Sequence, residues 1–191
     1  MSKRVSRVIY TLNSKDIKYL PAEEIKAILR GADGIIMQGG RTLLAKILKG
    51  SREKKILDRK LDQNPYYGFY KYLPIDQIVA RIDWVILEGY LRLEYDYRLP
   101  LLIYTKLGWN IEKDTYSDEM LLEFDKMINC GAQLFNMRFL KDRDRELIMM
   151  LLDKVQNSND EKYIPMLEAW EKIDYKKVRK RIRSVINHLN A

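Results

Sequence analysis

The chain has 191 residues, of which 47% are hydrophobic and 32% are charged, a balance typical of folded globular proteins and too apolar for a disordered one. No apolar run approaches the ~20 residues of a membrane-spanning helix, and the start, Met1-Ser2-Lys3-Arg4, leads into no signal-peptide stretch, so we expect a cytoplasmic protein. The single cysteine, Cys130, excludes an internal disulfide, and with His188 as the only histidine a zinc site would lack ligands, so both are expected to be packing residues.

The net charge of +8 is unevenly distributed along the chain. Residues 1–113 hold 21 Lys and Arg against 13 Asp and Glu, whereas residues 114–191 hold 14 of each. Clustered cations gain free energy by releasing counterions from nucleic-acid phosphates. The asymmetry predicts two domains, 1–113 and 114–191, of which the first binds a polyanion; charge alone also allows an acidic membrane surface.

Helical signals come first along the chain. A proline followed by two acids predicts a helix over Pro21–Ile28, which Gly31 and Gly34 then end or loosen. Apolar residues at helical spacing predict a second helix over 41–48. A turn-rich segment with aromatic anchors, 62–74, precedes a third helix, whose apolar stripe begins at Ile75 and which Gly89 ends.

Strand signals follow the third helix. Residues 91–95 alternate between apolar and polar, 96–98 form a turn, and 99–105 are a second strand. Three helices closed by a hairpin within about 90 residues is the order of a winged helix. We therefore predict a mainly α (α+β) fold, a winged helix with a small β-hairpin wing followed by an all-helical domain, whose last two helices resemble a HEAT-type unit. Apolar stripes place the helices of that second domain at 120–128, 147–155, 164–173 and 178–189.

The segment from Leu43 to Ser51 resembles the second helix and following loop of the RecQ carboxy-terminal (RQC) domain. The likeness continues through Tyr67-Gly68, the helix end at 86–91 and the post-hairpin segment 104–108, with its threonine, lysine and glycine. It covers roughly residues 22–112. The resemblance implies that the loop after the second helix and the β-wing grip the phosphate backbone of duplex ends or junctions.

Two departures from the family pattern concern strand separation, which an aromatic wing tip performs in some members. Tyr70 precedes Lys71 where the family tends to have a glycine, and the tip Asp96-Tyr97-Arg98 is short. DNA binding survives these changes better than strand separation does.

The predicted interface centres on residues 46–60, where seven basic residues face two acids and several phosphates could be neutralised; a solvated charged helix is the alternative. A glycine amide, a hydroxyl and a cation at Lys49-Gly50-Ser51 would form a compact phosphate site. Tyr97 either stacks on a base, worth ~1–3 kcal/mol where measured, or packs on the strands. The predicted DNA-binding residues are Arg41, Lys46, Lys49, Gly50, Ser51, Arg52, Lys54, Lys55, Lys71, Gln77, Arg81, Tyr97 and Arg98.

Signals of catalysis are weak. The glycines at 31–40 lead only to Arg41-Thr42 and not to a nucleotide-binding loop, and one cysteine cannot supply the zinc module of RecQ proteins. The best acidic cluster, in 142–146, alternates with basic residues and is typical of a solvated helix start. We expect no enzyme activity, no helicase motor and no cofactor.

The leading hypothesis is a non-catalytic DNA-binding protein of replication or repair, with duplex or branched DNA and a helicase or other repair protein as partners and no membrane partner. It would be nucleoid-associated if bacterial. The cation-rich last helix, over 176–183, could add a second DNA contact. The alternatives are a protein-interaction adaptor and a transcriptional regulator that reads bases with Gln77 and Arg81, although Asp76 and Asp83 on the same helix favour backbone recognition.

Overall fold

The computed structural model describes residue 9, residues 11–131 and residues 134–191, so the segment Met1-Ser2-Lys3-Arg4 lies outside the described residues. Its contacts define two compact units, Met1–Glu112 and Lys113–Ala191. Each unit has a hydrophobic core of its own. Among the described helices, none combines the length and the apolar character needed to cross a membrane.

Within its described residues the first unit contains four complete α-helices, a hairpin and the beginning of a fifth helix, and the predicted order of elements is confirmed. A short helix that was not predicted lies within the basic segment 46–60. The bounds are α1 (Ala22–Ala32), α2 (Arg41–Lys49), α3 (Lys54–Asp58), α4 (Ile75–Leu87), β1 (Leu91–Asp96), β2 (Leu99–Tyr104) and the beginning of α5 (Lys106–Asn129).

Helix α1 continues through Gly31 and ends at Ala32, before Gly34, so the predicted end at these two glycines is confirmed although Gly31 itself lies inside the helix. A Cβ atom at position 31 would lie 2.9 Å from Cδ2 of Leu48 and 3.5 Å from Cδ1 of Leu44. The glycine is therefore needed where α1 and α2 approach each other. The side chains of Leu44, Leu48 and Ile82 are fully buried in this core, and each contributes ~1.5–3 kcal/mol relative to an exposed side chain.

The hairpin is antiparallel, with Leu91 opposite Tyr104 and Asp96 opposite Leu99. It is attached to the segment before α2 by backbone hydrogen bonds: the Met37 N–H donates to the Leu102 carbonyl, and the Leu102 N–H donates to the Gly39 carbonyl, each at 2.9 Å. The wing is thus fixed at its second strand to the chain that leads into α2.

The Thr105-Lys106-Leu107-Gly108 segment joins the wing to α5. The Thr105 hydroxyl donates to the Gly89 carbonyl at 2.6 Å and accepts the Gly108 N–H at 3.1 Å, as a helix-capping hydroxyl does. A Cβ atom at Gly108 would lie 2.0 Å from the Tyr90 carbonyl oxygen, so no side chain fits there. The threonine and the glycine hold the start of α5 against the base of the hairpin.

The second unit consists of the remainder of α5 with α6 (Arg145–Ser158), α7 (Ile164–Glu171) and α8 (Lys176–Leu189). The four predicted helical segments are confirmed, and the predicted fold class holds for the described residues. Helix α5, however, begins well before the predicted start at residue 120. The buried positions Glu112, Thr115 and Ser117 in its first half are polar, so no apolar stripe marked it.

Trp170 lies at the centre of the second core and is fully buried. Its Nε1–H donates to Oδ2 of the buried Asp174 at 2.6 Å, and its ring makes an edge contact with Phe124.

Cys130 and His188 do not belong to this core. Both are exposed, so the prediction that they are packing residues is wrong; His188 Nε2 lies 2.9 Å from the side-chain oxygen of Asn159.

Candidate nucleic-acid interface

The turn after α2 is built by its glycine. Gly50 has a φ of +78°, its N–H donates to the Ile47 carbonyl at 2.9 Å, and the Ser51 N–H donates to the Lys46 carbonyl at 2.9 Å. This is the Schellman arrangement, in which a left-handed residue lets the last helical carbonyls be satisfied. It ends α2 sharply and directs Ser51 and Arg52 away from the helix.

The aromatic segment packs directly on this turn. The Gly68 N–H donates to the Ile47 carbonyl and the Tyr70 N–H donates to the Leu48 carbonyl, at 3.0 and 2.8 Å. The Tyr67 hydroxyl donates to the Ser51 carbonyl at 3.0 Å. A Cβ atom at Gly50 would lie only 3.1 Å from Cα of Gly68. Two of the stretches that carry the RQC resemblance therefore form one tertiary structure.

Lys49 has a structural role that its sequence position did not reveal. Its half-buried ammonium donates to the carbonyls of Lys71 and Leu73 at 2.6 and 2.8 Å, which uses two of its three N–H groups. Tyr72 lies between those two carbonyls in the sequence and is 86% exposed. The Nζ atom of Lys71 lies 4.9 Å from the centroid of the Tyr72 ring. Lys49 thus holds the backbone that presents Lys71 and Tyr72 to solvent.

Three predicted cations beside the turn are exposed: Arg52, Lys54 and Lys55. None of them forms an ion pair with an acid in the described part of the chain. Lys46 differs, because its ammonium lies 2.8 Å from the Glu53 carboxylate. The Ser51 hydroxyl accepts a long hydrogen bond, 3.4 Å, from the Glu53 N–H. The free positive charge of the segment 46–55 is therefore concentrated at positions 52–55.

A cavity of about 240 Å³ connects this segment with the wing. Gly40 approaches the wing so closely that a Cβ atom there would lie 2.7 Å from the Pro100 carbonyl oxygen. The cavity has a polar side, provided by Lys46, Glu53 and Lys55, and an apolar side, provided by strand β2. Its lining also includes Gln38, Gly39, Gly40, Thr42, Leu43, Leu99, Pro100 and Leu101.

Two predicted arginines are paired with acids: Arg41 with the buried Asp83, and Arg81 with the partly buried Glu24. Arg41 Nη1 lies 2.6 Å from both carboxylate oxygens of Asp83, which is 2% exposed and also accepts the Asn13 N–H. Arg81 Nε donates to Glu24 at 3.0 Å, and the same carboxylate oxygen accepts the Tyr70 hydroxyl. Burial, reinforced by that hydrogen bond to Glu24, raises the pKa of Tyr70.

On the surface of α4, Gln77 is exposed while its backbone carbonyl accepts from Arg81. Asp76 on the same turn is engaged by Lys15, whose hydrogen bond lowers the pKa of that carboxyl. The two acids that argued against base reading are thus each paired with a cation. Of the two predicted base readers, only Gln77 has an exposed side chain.

The wing tip consists of Tyr97 and Arg98, both exposed. Tyr97 has a φ of +51°, an uncommon conformation for a residue with a side chain, and it is 84% exposed and therefore not packed on the strands.

The structure brings the turn at 49–52 together with the segment 67–72 and places Lys46 and Lys55 beside β2. Arg41 instead pairs with the buried Asp83, and Arg81 with the partly buried Glu24.

Sequence reasoning missed the exposed ring of Tyr72 and the cavity beside β2. The sequence shows an aromatic run around Gly68 at 66–72. Which of its rings are buried depends on packing against α2, which the sequence alone does not reveal.

The RQC domain model matches residues 21–126, more than half of the chain. The chain belongs to the RQC domain family. In RecQ helicases this domain is a non-catalytic winged helix associated with DNA binding, so the matched region is a DNA-binding-related domain. The chain is also similar to the ATP-dependent DNA helicase RecQ of Bacillus subtilis (strain 168), with 30% identity over 78 residues, or 41% of this chain. Those residues span only 13% of that helicase, and no solved structure matches the chain.

Proposed function

We propose that this RQC family member binds duplex or branched DNA through the phosphate backbone, without catalysis, in replication or repair. The observation that carries the proposal is the set of exposed cations Arg52, Lys54 and Lys55 beside the glycine turn that ends α2, which pair with no acid in the described part of the chain. Cations without acidic partners can neutralise phosphates without first breaking an ion pair within the protein. The family assignment supports the same surface.

The side chains of α4 favour recognition of the DNA backbone over base reading. Base reading in the major groove requires side chains that reach base edges. Arg81 is held by Glu24 and only Gln77 is exposed, so this helix offers one reader. The exposed Lys71, Tyr72, Tyr97 and Arg98 would extend the interface on either side of the glycine turn and at the wing. Tyrosine rings can stack on unpaired bases, which fits a preference for frayed or forked ends.

The RecQ relative is named as an ATP-dependent DNA helicase, and we propose a helicase or another repair protein as the partner of this chain. On this proposal the winged helix contributes DNA affinity and the motor belongs to the partner.

The experiment is fluorescence anisotropy with blunt duplex, forked and single-stranded DNA at two salt concentrations. The variant Arg52→Gln/Lys55→Gln removes two of the exposed cations. The control Lys18→Gln/Lys106→Gln removes the same charge from exposed positions elsewhere in the unit. We expect roughly tenfold weaker binding and a log–log salt slope reduced by about 2 for the first variant only. Equal affinities for the two variants, or salt-insensitive binding by the wild type, would contradict the proposal.

A further inference from the structure

The second unit, Lys113–Ala191, is nearly neutral along its sequence, with 15 Lys and Arg against 14 Asp and Glu, but its charges are not mixed evenly in space. Helix α8 carries six Lys and Arg in fourteen residues and no acid. Two of these cations are already neutralised, since Arg181 pairs with Asp153 and Arg183 with Glu171, each at 2.6 Å. The other four are exposed and have no acidic partner among the described residues: Lys176, Lys177, Arg179 and Lys180.

The structure adds a second basic segment to the start of this helix. Lys141, Arg143 and Arg145 precede and begin α6, about 35 residues earlier in the chain. They line a cavity of about 190 Å³ together with Tyr175 and Val178, which lie at the first turn of α8. Lys141 Nζ lies 5.2 Å from the centroid of the Tyr175 ring. The basic segment before α6 thus lies beside the start of the cation-rich helix α8, which contributes Tyr175 and Val178 to the cavity and no cation.

Three acids lie in this region, Asp142, Asp144 and Asp174, and two of them line the cavity. Asp144 caps α6 by accepting the N–H groups of Glu146 and Leu147. Asp174 is buried and accepts from Trp170 and from the Tyr175 N–H. Asp142 accepts the Tyr175 hydroxyl at 3.1 Å. All three carboxylates accept hydrogen bonds from neutral donors, and none forms an ion pair with Lys141, Arg143 or Arg145 among the described residues.

We propose that Lys141, Arg143 and Arg145 together with the first two turns of α8 form a second binding surface for the phosphates of a nucleic-acid backbone. This α6–α8 surface is distinct in residues and in unit from the interface beside α2. The second surface would add a further contact to the proposed DNA binding. It rests on the proposed function only for the assumption that the bound polyanion is DNA.

A nucleic acid fits this surface better than a membrane does. A helix that binds a bilayer interface buries an apolar face among the lipids. In α8 the apolar face, which includes Val178, Ile182 and Val185, is buried in the core of the unit. Only charge and the half-exposed Tyr175 ring remain for a ligand, and an aromatic ring among cations is typical of nucleic-acid surfaces.

The test uses the full chain and anisotropy with a fluorescent DNA duplex over a range of salt concentrations. One variant, Lys176→Gln/Lys180→Gln, alters α8, and another, Lys141→Gln/Arg145→Gln, alters the segment before α6. The control Lys126→Gln/Lys162→Gln removes two exposed cations of the same unit that already pair with acids. We expect both test variants to bind several-fold more weakly, with salt slopes lower by about 2, and the control to change little.

The outcomes separate the two proposals. An effect of the Arg52→Gln/Lys55→Gln variant with no effect of either α6–α8 variant would overturn the second surface alone. The reverse pattern would overturn the interface beside α2 and support the second surface. Weakening by only one of the two α6–α8 variants would overturn the joint surface. Binding to phosphatidylserine–phosphatidylcholine vesicles that these variants abolish, with unchanged DNA affinity, would overturn the choice of nucleic acid.

Discussion

The Arg41 guanidinium contacts both carboxylate oxygens of Asp83, so the first residue of α2 is fastened to the middle of α4. Asp83 is almost fully buried and Arg41 mostly so. Removing one partner of a buried ion pair leaves a charge without compensation in a poorly solvated place. The pair therefore fixes how the two main helices of the winged helix are arranged.

We expect Asp83→Ala to lower the free energy of unfolding by about 3 kcal/mol, because it strands the Arg41 charge. Urea denaturation measures this. As a control, Lys15→Gln breaks the exposed pair with Asp76 and should cost less than about 1 kcal/mol. Equal losses in the two variants would show that burial does not set the strength of the Arg41 pair.

Gly50 should tolerate a side chain less well than Gly89. Their φ angles are +78° and +77°, so Ala carries a similar backbone cost of about 1 kcal/mol at each. A Cβ atom at Gly89 meets nothing within 4 Å, whereas at Gly50 it meets the backbone of Gly68 at 3.1 Å. We expect Gly50→Ala to be the more destabilising in chemical denaturation by at least about 1 kcal/mol. Identical stabilities would contradict the packing of the two loops.

Lys49→Met should loosen the segment that carries Tyr72. The substitution removes the donor shared by the carbonyls of Lys71 and Leu73 while keeping much of the apolar stem. Hydrogen exchange at residues 71–73 should become faster, and DNA binding should weaken. Lys55→Met loses the same charge from an exposed position, so it should weaken DNA binding without changing that exchange. Unchanged exchange in Lys49→Met would refute the positioning role.

Tyr97→Asn tests the wing tip without disturbing its turn, because asparagine tolerates a positive φ. Loss of base stacking should weaken binding to forked or frayed DNA by about 1–3 kcal/mol, with little change for a blunt duplex. Thermal stability should stay the same, since the ring is exposed. Equal losses on forked and blunt DNA would argue against stacking at an opened end.

Asp125 contributes to the second unit stability that is lost in acid. The hydrogen bond from the Tyr163 hydroxyl, with further support from Lys162, lowers the pKa of this carboxyl. A lowered folded-state pKa stabilises the protein above the ordinary carboxyl pKa, and this stabilisation is lost as the pH falls through the folded-state value. Asp125→Asn should therefore be less stable than the wild type near pH 6, by less than about 1 kcal/mol because the group is partly exposed. The difference should vanish in strong acid, and a difference that grows in acid would contradict the assignment.

Local patterns of residues determined much of this protein. The apolar stripe of α4, the alternation in 91–95 and the glycines that follow α2 and α4 depend on neighbours within a few residues, and the elements they predict are present. The stretches from Leu43 to Ser51 and from Tyr104 to Gly108 carried the family resemblance. Helix α5 was only half predicted, because polar residues occupy buried positions in its first part.

Tertiary structure alone decided which charges are free. Arg41, Lys49 and Arg52 are all cations near α2 in the sequence, yet the first meets Asp83, the second binds backbone carbonyls and the third faces solvent. The partner of a long side chain is set by which distant segment packs beside it, and the spacing of residues along one helix does not contain that information. For the same reason, the meeting of Lys141 with the first turn of α8 became visible only in the folded chain.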